Sequence, residues 1–420
     1  MTSKKLTTVV MRVMEVTLVA ILIPIPVALA AGKYKVLHHF GAGKDGSVPS
    51  GPLTLDKEGN LYGVTGAGGG VGCDGYGCGT IFELTHQANG KWGERSLHAF
   101  ADSGDGADPV GNLASDVAGN LYGTLEGAGP GQTAVFELEH KSGGWNFGML
   151  YTQAVGPGLV LDKAGNVYGD IGPGDYFGAG AMGELSPAAN GWTYTQLYSF
   201  CSQSHCADGR YPVDPPIWDT RGNLYDTTFY GGIGQPECPN ALGCGVVFEM
   251  TRNSDGTWTY HILHRFASFP HDGQSPAAGL AMDPSGNLYG DTAGGGAHGN
   301  GTIFKFTPSA GGHWKQTVLY DFPNCASGCF PGGTLVFDKA GNLYGAGSGG
   351  LADCGGYTCG VIFKLTHQAG GKWKYTVMHK FNGADGGFPY GVILDEKGNL
   401  YGTTQAFGKY NAGVAFEITP

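Results

Sequence analysis

Residues 56–63 read DKEGNLYG, and close variants of this stretch occur seven times along the 420-residue chain. The repeats are marked by the asparagines Asn60, Asn120, Asn166, Asn223, Asn287, Asn342 and Asn399. Successive copies lie roughly 57 residues apart, a period that indicates one supersecondary unit per copy.

Each repeat contains four short apolar runs, which we call strands A to D. In the first repeat they occupy residues 53–56, 61–63, 81–84 and 92–100. Runs rich in β-branched and aromatic residues between Gly, Pro and Asn predict β-strands. Between strands A and B, Asp56 and Gly59 take the first and fourth positions of a type I turn. We interpret the seven aspartates of these turns as turn caps. The alternative, calcium binding, requires several alternating oxygen ligands that the motif lacks.

Seven units of four antiparallel strands predict an all-β fold, a seven-bladed β-propeller. The last unit ends after its C strand at residues 416–419, whereas residues 34–40 resemble a D strand without a unit of their own. We therefore expect the N-terminal strand to complete the last blade, which hides an exposed strand edge. An open β-solenoid is the alternative. The predicted blades span approximately residues 41–100, 101–152, 153–200, 201–266, 267–322, 323–381 and 382–420 plus 33–40, all within one domain at 31–420.

Residues 1–30 have the features of a signal peptide. The basic residues Lys4, Lys5 and Arg12 precede an apolar run, and Ala28-Leu29-Ala30 offers a small-residue cleavage site. The alternative is a retained membrane anchor, but the apolar run is shorter than the roughly 20 residues that span a bilayer. We expect a secreted, periplasmic or cell-surface protein that is monomeric and has no membrane span once the signal is removed.

The ten cysteines fall into five close pairs. They are Cys73/Cys78, Cys201/Cys206, Cys238/Cys244, Cys325/Cys329 and Cys354/Cys359. In an oxidising compartment this spacing predicts local disulfides. Zinc and bridges between different loops are the alternatives, and most of the pairs are too widely spaced for the usual zinc sites. We predict no resident cofactor or metal, with calcium as the open possibility.

Composition narrows the classes of partner. A net charge of −11 with 24 basic residues argues against nucleic-acid binding, which needs clustered Lys and Arg. The 12% aromatic content argues against a disordered chain despite 78 glycines. An extracellular glycan or a protein surface fits this composition better.

The alternating strands place the B–C and D–A loops on one side of the predicted ring, which we call the long-loop face. The A–B and C–D turns form the opposite, short-turn face. All five cysteine pairs and several aromatic residues fall in the loops of the long-loop face, where rings could stack on sugars; packing onto the blades is the alternative. These aromatic residues are Tyr76, Tyr176, Phe177, Phe229, Tyr230, Tyr357, Phe407 and Tyr410.

An Asp-Gly-x-x-Pro pattern leads into strand A in five repeats. Its aspartates are Asp45, Asp105, Asp208, Asp272 and Asp385. A ring of these carboxylates near the channel mouth could bind a cation or sugar hydroxyls; the alternative is a structural turn. For catalysis, His298 and His271 are the candidates, as an acid/base pair on the long-loop face. The sequence contains no Gly-x-Ser-x-Gly, His-Glu-x-x-His or phosphate-loop motif.

Three motifs together resemble a known family. Asp-x-x-Gly-Asn-Leu-Tyr-Gly, Gly-Thr-Ile-Phe-x-Leu-Thr and Trp-x4-Leu-x2-Phe resemble the GloVer tandem-repeat family of exported bacterial proteins, often described as choice-of-anchor proteins. The first motif is also similar to NHL-type propeller repeats. The resemblance implies a secreted or surface propeller, without an established activity. The chain departs from the family in lacking its frequent C-terminal anchor, so we expect release or periplasmic residence.

These observations lead to one expected function and two alternatives. We expect a binding module for glycan or another extracellular polymer on the long-loop face, rather than an enzyme. The alternatives are a propeller lyase or hydrolase that uses a histidine of that face, and a purely structural cell-surface protein.

Overall fold

The structure is a computed structural model. It describes residues 32–420 except 42, 71, 102–103, 130–131, 173–178, 213, 233–237, 239–241, 268–271 and 351–352. The predicted signal peptide lies outside the described residues. In the described part, seven small antiparallel sheets form a ring, so the predicted seven-bladed β-propeller is confirmed. None of the helices described is long and apolar enough to cross a membrane.

The first strand in the chain, β1 (Lys33–His39), belongs to the last blade. Blade 1 contains β2 (Ser47–Pro49), β3 (Thr54–Leu55), β4 (Leu61–Ala67), β5 (Thr80–His86) and β6 (Trp92–Ala99). Blade 2 contains β7 (Ala107–Ser115), β8 (Leu121–Gly129), β9 (Gln132–Lys141) and β10 (Gly144–Thr152). Blade 3 contains β11 (Ala154–Leu161), β12 (Val167–Ile171), β13 (Ala181–Ala188) and β14 (Gly191–Ser199).

Blades 4 and 5 have a divided A strand, as blade 1 does. Blade 4 contains β15 (Arg210–Pro212), β16 (Ile217–Trp218), β17 (Leu224–Tyr230), β18 (Val246–Arg252) and β19 (Trp258–Arg265). Blade 5 contains β20 (Gly273–Gln274), β21 (Ala281–Met282), β22 (Leu288–Thr292), β23 (Gly294–Gly295), β24 (Thr302–Pro308) and β25 (Trp314–Asp321).

Blades 6 and 7 complete the ring. Blade 6 contains β26 (Cys329–Pro331), β27 (Val336–Phe337), β28 (Leu343–Ser348), β29 (Val361–His367) and β30 (Trp373–Lys380). Blade 7 contains β31 (Gly387–Leu394), β32 (Leu400–Ala406) and β33 (Val414–Thr419), with β1 as its outer strand. Short 3-10 segments occur at Cys73–Gly75, Ser204–Cys206, Ala310–Gly312, Cys325–Ser327 and Ala369–Gly371.

Ring closure follows the prediction. Strand β1 pairs antiparallel with β33, and Val36 lies opposite Phe416. At the inner side, the Thr403 hydroxyl donates to the Gly51 carbonyl at 2.8 Å, which joins blade 7 to blade 1. The N-terminal strand therefore covers the edge that β33 would otherwise present to solvent.

The hydrophobic core of a blade depends on a large residue in strand C and a glycine in strand B. Phe82 is fully buried, and a Cβ atom on Gly63 would lie 2.5 Å from the tip of its ring. Glycine is therefore required by this close approach. Blade 3 has Gly183 in place of the strand C phenylalanine, and the Tyr194 ring fills the space, 2.7 Å from where a Gly183 Cβ would lie.

Neighbouring blades pack through the tyrosine of Leu-Tyr-Gly. The Tyr62 ring of blade 1 lies 6.4 Å from the Trp145 ring of blade 2, in an edge-to-face arrangement. The same contact joins Tyr168 to Trp258 and Tyr401 to Trp92. The repeated tyrosines and tryptophans are therefore part of the interblade core.

Candidate functional site

Five disulfide bonds cross-link the long-loop face. They join the pairs Cys73–Cys78, Cys201–Cys206, Cys238–Cys244, Cys325–Cys329 and Cys354–Cys359. The predicted local pairing is confirmed, and the bonds fit an extracellular or periplasmic protein. Each pair lies in a B–C or D–A loop, so the bonds hold glycine-rich loops on one face of the ring.

Exposed apolar side chains concentrate on the same face. Seven large ones are exposed among the described residues, and six of them lie at the long-loop face. These six are Tyr76, Tyr211, Leu242, Phe330, Tyr357 and Tyr410, whereas the seventh, Val117, lies in a turn of the opposite face. Tyr76 and Tyr357 are 80% and 73% exposed, so their rings are open to a ligand.

The aromatic residues named from the sequence fall into two groups and two single positions. In blade 4, the half-buried Tyr230 ring lies 4.7 Å from Phe229 and 6.0 Å from Tyr211. We call these three residues the blade 4 patch. Tyr410 carries Lys409 over its ring at 4.9 Å, and Tyr76 lies at the tip of its own loop.

A second group lies across blades 6 and 7. The Phe388 ring lies 6.5 Å from Tyr357 and 5.6 Å from Phe407, which is half-buried. We call Tyr357, Phe388 and Phe407 the blade 6–7 patch. Tyr176 and Phe177 fall outside the described residues.

Sequence reasoning missed Tyr211, Phe330 and Phe388. Each precedes the proline that opens strand A, and each has a left-handed backbone with φ of 58°, 44° and 61°. Their backbone N–H groups donate to the preceding blade, as Tyr211 does to the Ala179 carbonyl at 2.8 Å. These residues could have been found from the sequence, because each is an aromatic residue immediately before that proline.

The aspartates of the Asp-Gly-x-x-Pro pattern contact the preceding D strand. A D-strand ring binds each carboxylate at 2.8 to 3.0 Å, in the pairs His38–Asp45, His98–Asp105, Tyr198–Asp208, His264–Asp272 and His379–Asp385. Burial alone would raise the pKa of Asp272, but hydrogen bonding from His264 and Gln316 outweighs it and leaves the pKa below its usual value. These contacts support the structural-turn interpretation of the pattern.

The turn aspartates between strands A and B are similarly engaged. Asp56 accepts hydrogen bonds from the Asn60 backbone and side-chain nitrogens, both at 2.8 Å, and from the Tyr62 hydroxyl at 3.1 Å. The described residues include no group of three or more His, Cys, Asp and Glu placed to hold a metal ion. The contacts favour the turn-cap interpretation.

The two catalytic candidates are not brought together by any described contact. His298 is exposed in a turn of blade 5, and His271 lies outside the described residues. The acid/base pair therefore stays a prediction.

Four carboxyl groups that the sequence analysis did not single out lie at the inner side of blades 3 to 5. Asp170, Asp226 and Asp291 are buried in β12, β17 and β22, and Asp214 begins the inner part of blade 4. Both carboxyl oxygens of Asp291 and one of Asp226 are buried without a hydrogen-bond partner among the described residues. Burial raises the pKa of Asp170 to about 7 and of Asp214 to about 6, and those of Asp226 and Asp291 well above the usual value.

The repeat explains why protonation suits Asp291. The equivalent B-strand residue in blade 7 is Thr403, whose hydroxyl donates to a backbone carbonyl of the next blade. A carboxyl group at this position can donate only when it is protonated. The available sequence signal was an aspartate after Leu-Tyr-Gly at Asp291 and after Val-Tyr-Gly at Asp170, and Asp226 in place of the glycine itself.

Cavities open on the short-turn face, a surface that the sequence analysis left unassigned. Grooves of about 780, 760 and 560 Å³ lie between blades 1 and 2, blades 3 and 4, and blades 6 and 7. A further cavity of about 470 Å³ is lined by inner strands, including Leu55, Val160, Trp218 and Ile393. These volumes are in the range of small-ligand sites.

Comparisons with solved structures support the fold. A protein from Lactobacillus plantarum matches 81% of this chain and 88% of its own, with 15% identity and a TM-score of 0.54. An ancestral GH74 enzyme matches 89% of this chain and 51% of its own, with 14% identity and a TM-score of 0.51. At these identities the likeness extends to the fold alone.

Comparisons with sequences give one match, to a repeat family in the C-terminal part of the chain. No curated protein matches the chain. The model of the Gloeobacter/Verrucomicrobia repeat matches residues 239–420, which include the last three complete copies of the repeat motif. The resemblance drawn from the motifs is confirmed over residues 239–420, the part of this propeller that matches the Gloeobacter/Verrucomicrobia repeat model.

Proposed function

We propose that this protein is an exported propeller that binds a glycan or another extracellular polymer through the aromatic side chains of its long-loop face. The observation that carries the proposal is the concentration of exposed apolar side chains, six of seven, on that face. Aromatic rings present a flat apolar surface that suits the faces of sugar rings, and loops on a rigid scaffold are common binding positions.

The two most exposed tyrosines lie in loops that are closed by disulfides. Tyr357 lies between Cys354 and Cys359, and its carbonyl accepts a hydrogen bond from the Cys354 N–H at 2.7 Å. Tyr76 lies between Cys73 and Cys78. A loop whose backbone is constrained before binding loses less conformational entropy when the ligand arrives, so this arrangement favours recognition.

The test is binding of the exported protein to a panel of purified polysaccharides, each with calcium and with a chelator. Tyr76→Ala and Tyr357→Ala are the test variants, and Val117→Ala, which truncates the exposed apolar residue of the opposite face, is the matched control. We expect saturable binding to at least one polymer, weakened at least about tenfold in a tyrosine variant and unchanged in the control. Absence of binding to every polymer, or equal binding by all variants, would contradict the proposal.

A further inference from the structure

We propose that the groove between blades 3 and 4 on the short-turn face is a second site, which binds an anionic polysaccharide whose sugar rings carry carboxylate or sulfate groups. This groove of about 760 Å³ lies on the face opposite the aromatic patches. The proposal rests on residues separate from those of the long-loop site, so each can fail without the other.

Two tryptophans supply the apolar wall of the groove. The rings of Trp218 and Trp258 lie 6.3 Å apart at an angle of 45°, and both side chains are half-buried. Trp258 belongs to the tryptophans that recur in the D strands. Trp218 does not recur. The equivalent A-strand residues are Leu55, Leu161 and Leu394 in blades 1, 3 and 7, Ser115 in blade 2, Met282 in blade 5 and Phe337 in blade 6. Blade 4 therefore has a second tryptophan, in strand A, beside the one that recurs in strand D.

Cations line the same groove. Lys163, Arg221 and Arg252 face it, against the carboxylates of Asp162 and Asp219. Asp219 is engaged by its own turn, because Asn223 donates to it from its backbone and side chain at 2.9 and 3.0 Å and Arg221 pairs with it at 2.9 Å.

The other two cationic side chains of the groove differ from Arg221, which is paired with Asp219. Lys163 and Arg252 are exposed, and neither forms an ion pair with a residue in the described part of the chain. Arg252 lies over the Trp258 ring at 5.9 Å. An anionic group on a sugar that packs against the indole is thus within reach of a guanidinium, a donor suited to carboxylate and sulfate.

The neighbouring grooves differ in charge. In the groove between blades 1 and 2, Arg95 is tied to Glu83 at 2.7 Å, and Glu58 and Glu396 add further negative charge. The groove between blades 6 and 7 has three lysines and three acids; they are Lys339, Lys364, Lys397, Asp338, Asp395 and Glu396. Of these three grooves, the one between blades 3 and 4 has an excess of cations, on a chain whose net charge is −11.

A glycan fits this groove better than a nucleic acid does. Phosphate-backbone binding needs several clustered cations, and the groove offers three within an acidic chain. A polysaccharide requires an aromatic platform and a few charge contacts, which Trp218, Arg252 and Lys163 provide.

The experiment compares polygalacturonate and dextran sulfate with neutral dextran by calorimetry at pH 8 and low ionic strength. Three variants use residues that the repeat already accepts or that keep the side-chain length: Trp218→Leu, Arg252→His and Lys163→Gln. Histidine occupies the position of Arg252 in blades 1, 2 and 6, as His86, His140 and His367, and it is neutral at pH 8. Lys57→Gln changes the equivalent turn lysine of blade 1 and serves as the control.

We expect the intact protein to bind at least one polyanion and not dextran, with affinity falling as salt is added. Trp218→Leu and Arg252→His should each weaken binding about tenfold, and Lys57→Gln should leave it unchanged. The proposal is overturned if dextran binds equally, if the groove variants bind as the parent does, or if a single-stranded oligonucleotide binds more tightly than both polyanions. Loss of polyanion binding in Tyr357→Ala, with the groove variants intact, would instead assign the polyanion to the long-loop face.

Discussion

The Asp214 carboxylate of blade 4 accepts a hydrogen bond from the Thr334 hydroxyl of blade 6 at 3.2 Å, although blade 5 separates the two along the chain. The same oxygen accepts the Gly279 N–H of blade 5 at 2.7 Å. One side chain therefore links three blades at the inner side of the ring. Asp170, Asp226 and Asp291 lie in the same sector, so acidic groups are concentrated where blades 3 to 5 meet.

The raised pKa values of these aspartates lead us to expect that the protein becomes less stable as the pH rises from mildly acidic to neutral. In the unfolded chain an aspartate ionises near pH 3.9, at about its ordinary pKa. In the folded protein burial holds the pKa of Asp214 at about 6 and of Asp170 at about 7, so the folded state keeps these protons longer. The free energy of unfolding should therefore decline over this window, because the folded state binds more protons than the unfolded state. Chemical denaturation at a series of pH values measures the free energy of unfolding. An increase in this free energy between about pH 4.5 and about pH 7 would contradict the prediction.

The variant Asp291→Asn tests one of these four aspartates by itself. The amide has nearly the same shape, carries no charge and can donate a hydrogen bond at any pH. Since both oxygens of Asp291 are buried without a partner, we expect the variant to be more stable at pH 8 by about 1–3 kcal/mol and to show a weaker pH dependence. Glu58→Gln, at an exposed turn position, is the control and should leave the profile unchanged. A destabilised Asp291→Asn protein at pH 8 would mean that the carboxyl is ionised and has a partner.

The fold could be predicted because the sequence repeats. The sequence analysis missed residues at which one copy of the repeat differs from the others. Strand order, ring closure and disulfide pairing follow from local patterns such as the turn beginning at Asp56 and the cysteines of one loop. The position of Asp214 does not, because its partners are Gly279 and Thr334, in two other blades. A contact between residues 120 positions apart has no signature within one repeat.

Gly245→Ala tests the tight contact between neighbouring blades. Its φ is +91°, and an added Cβ would lie 2.3 Å from the Thr228 carbonyl oxygen and 2.7 Å from the Pro276 ring of blade 5. Gly256 has a similar φ of +86° but no atom within 4 Å of its Cβ position, so Gly256→Ala is the matched control. We expect the control to lose about 1 kcal/mol from backbone strain alone and Gly245→Ala to lose about 3 kcal/mol. Equal losses in urea denaturation would mean that the blades separate easily at this contact.

The aromatic patches illustrate a different limit of sequence reasoning. Tyr230, Tyr357 and Phe407 could be named because the sequence predicts loops at their positions, but their grouping depends on Tyr211 and Phe388, which open A strands. Tyr211 and Phe388 both have a left-handed backbone before a proline, and a strand assignment from the sequence does not reveal that conformation. The grooves of the short-turn face were missed because they form between blades, where no single repeat reveals the lining.

Asp338→Ala tests the turn-cap interpretation. The carboxylate accepts the Asn342 backbone and side-chain N–H groups at 2.9 and 2.7 Å and the Tyr344 hydroxyl at 3.0 Å. Burial alone would raise the pKa of Asp338, but these hydrogen bonds outweigh it and lower the pKa. We expect a loss of about 2–3 kcal/mol at neutral pH, which narrows below about pH 3.8 as the parent carboxylate becomes protonated. Asp338→Asn should lose less, and a chelator should not alter the melting temperature of the parent; a large chelator effect would favour calcium instead.

A chain that begins at residue 41, compared with one that begins at residue 31, tests ring closure. The strand contributes the buried Phe40, and the Tyr34 hydroxyl donates to the Asp385 carbonyl at 2.6 Å while its ring stacks on His379 at 3.9 Å. Without it, β33 becomes an exposed edge, so the shortened chain should melt at a lower temperature and self-associate in size-exclusion chromatography. A synthetic peptide with the sequence of residues 32–40 should restore both the melting temperature and the monomer, because it can re-form the pairing of Val36 with Phe416, whereas a scrambled peptide should not. A truncated chain that is monomeric and melts like the parent would mean that the hydrogen bonds between Thr403 and Gly51 and the other inner contacts hold the ring closed without the outer strand.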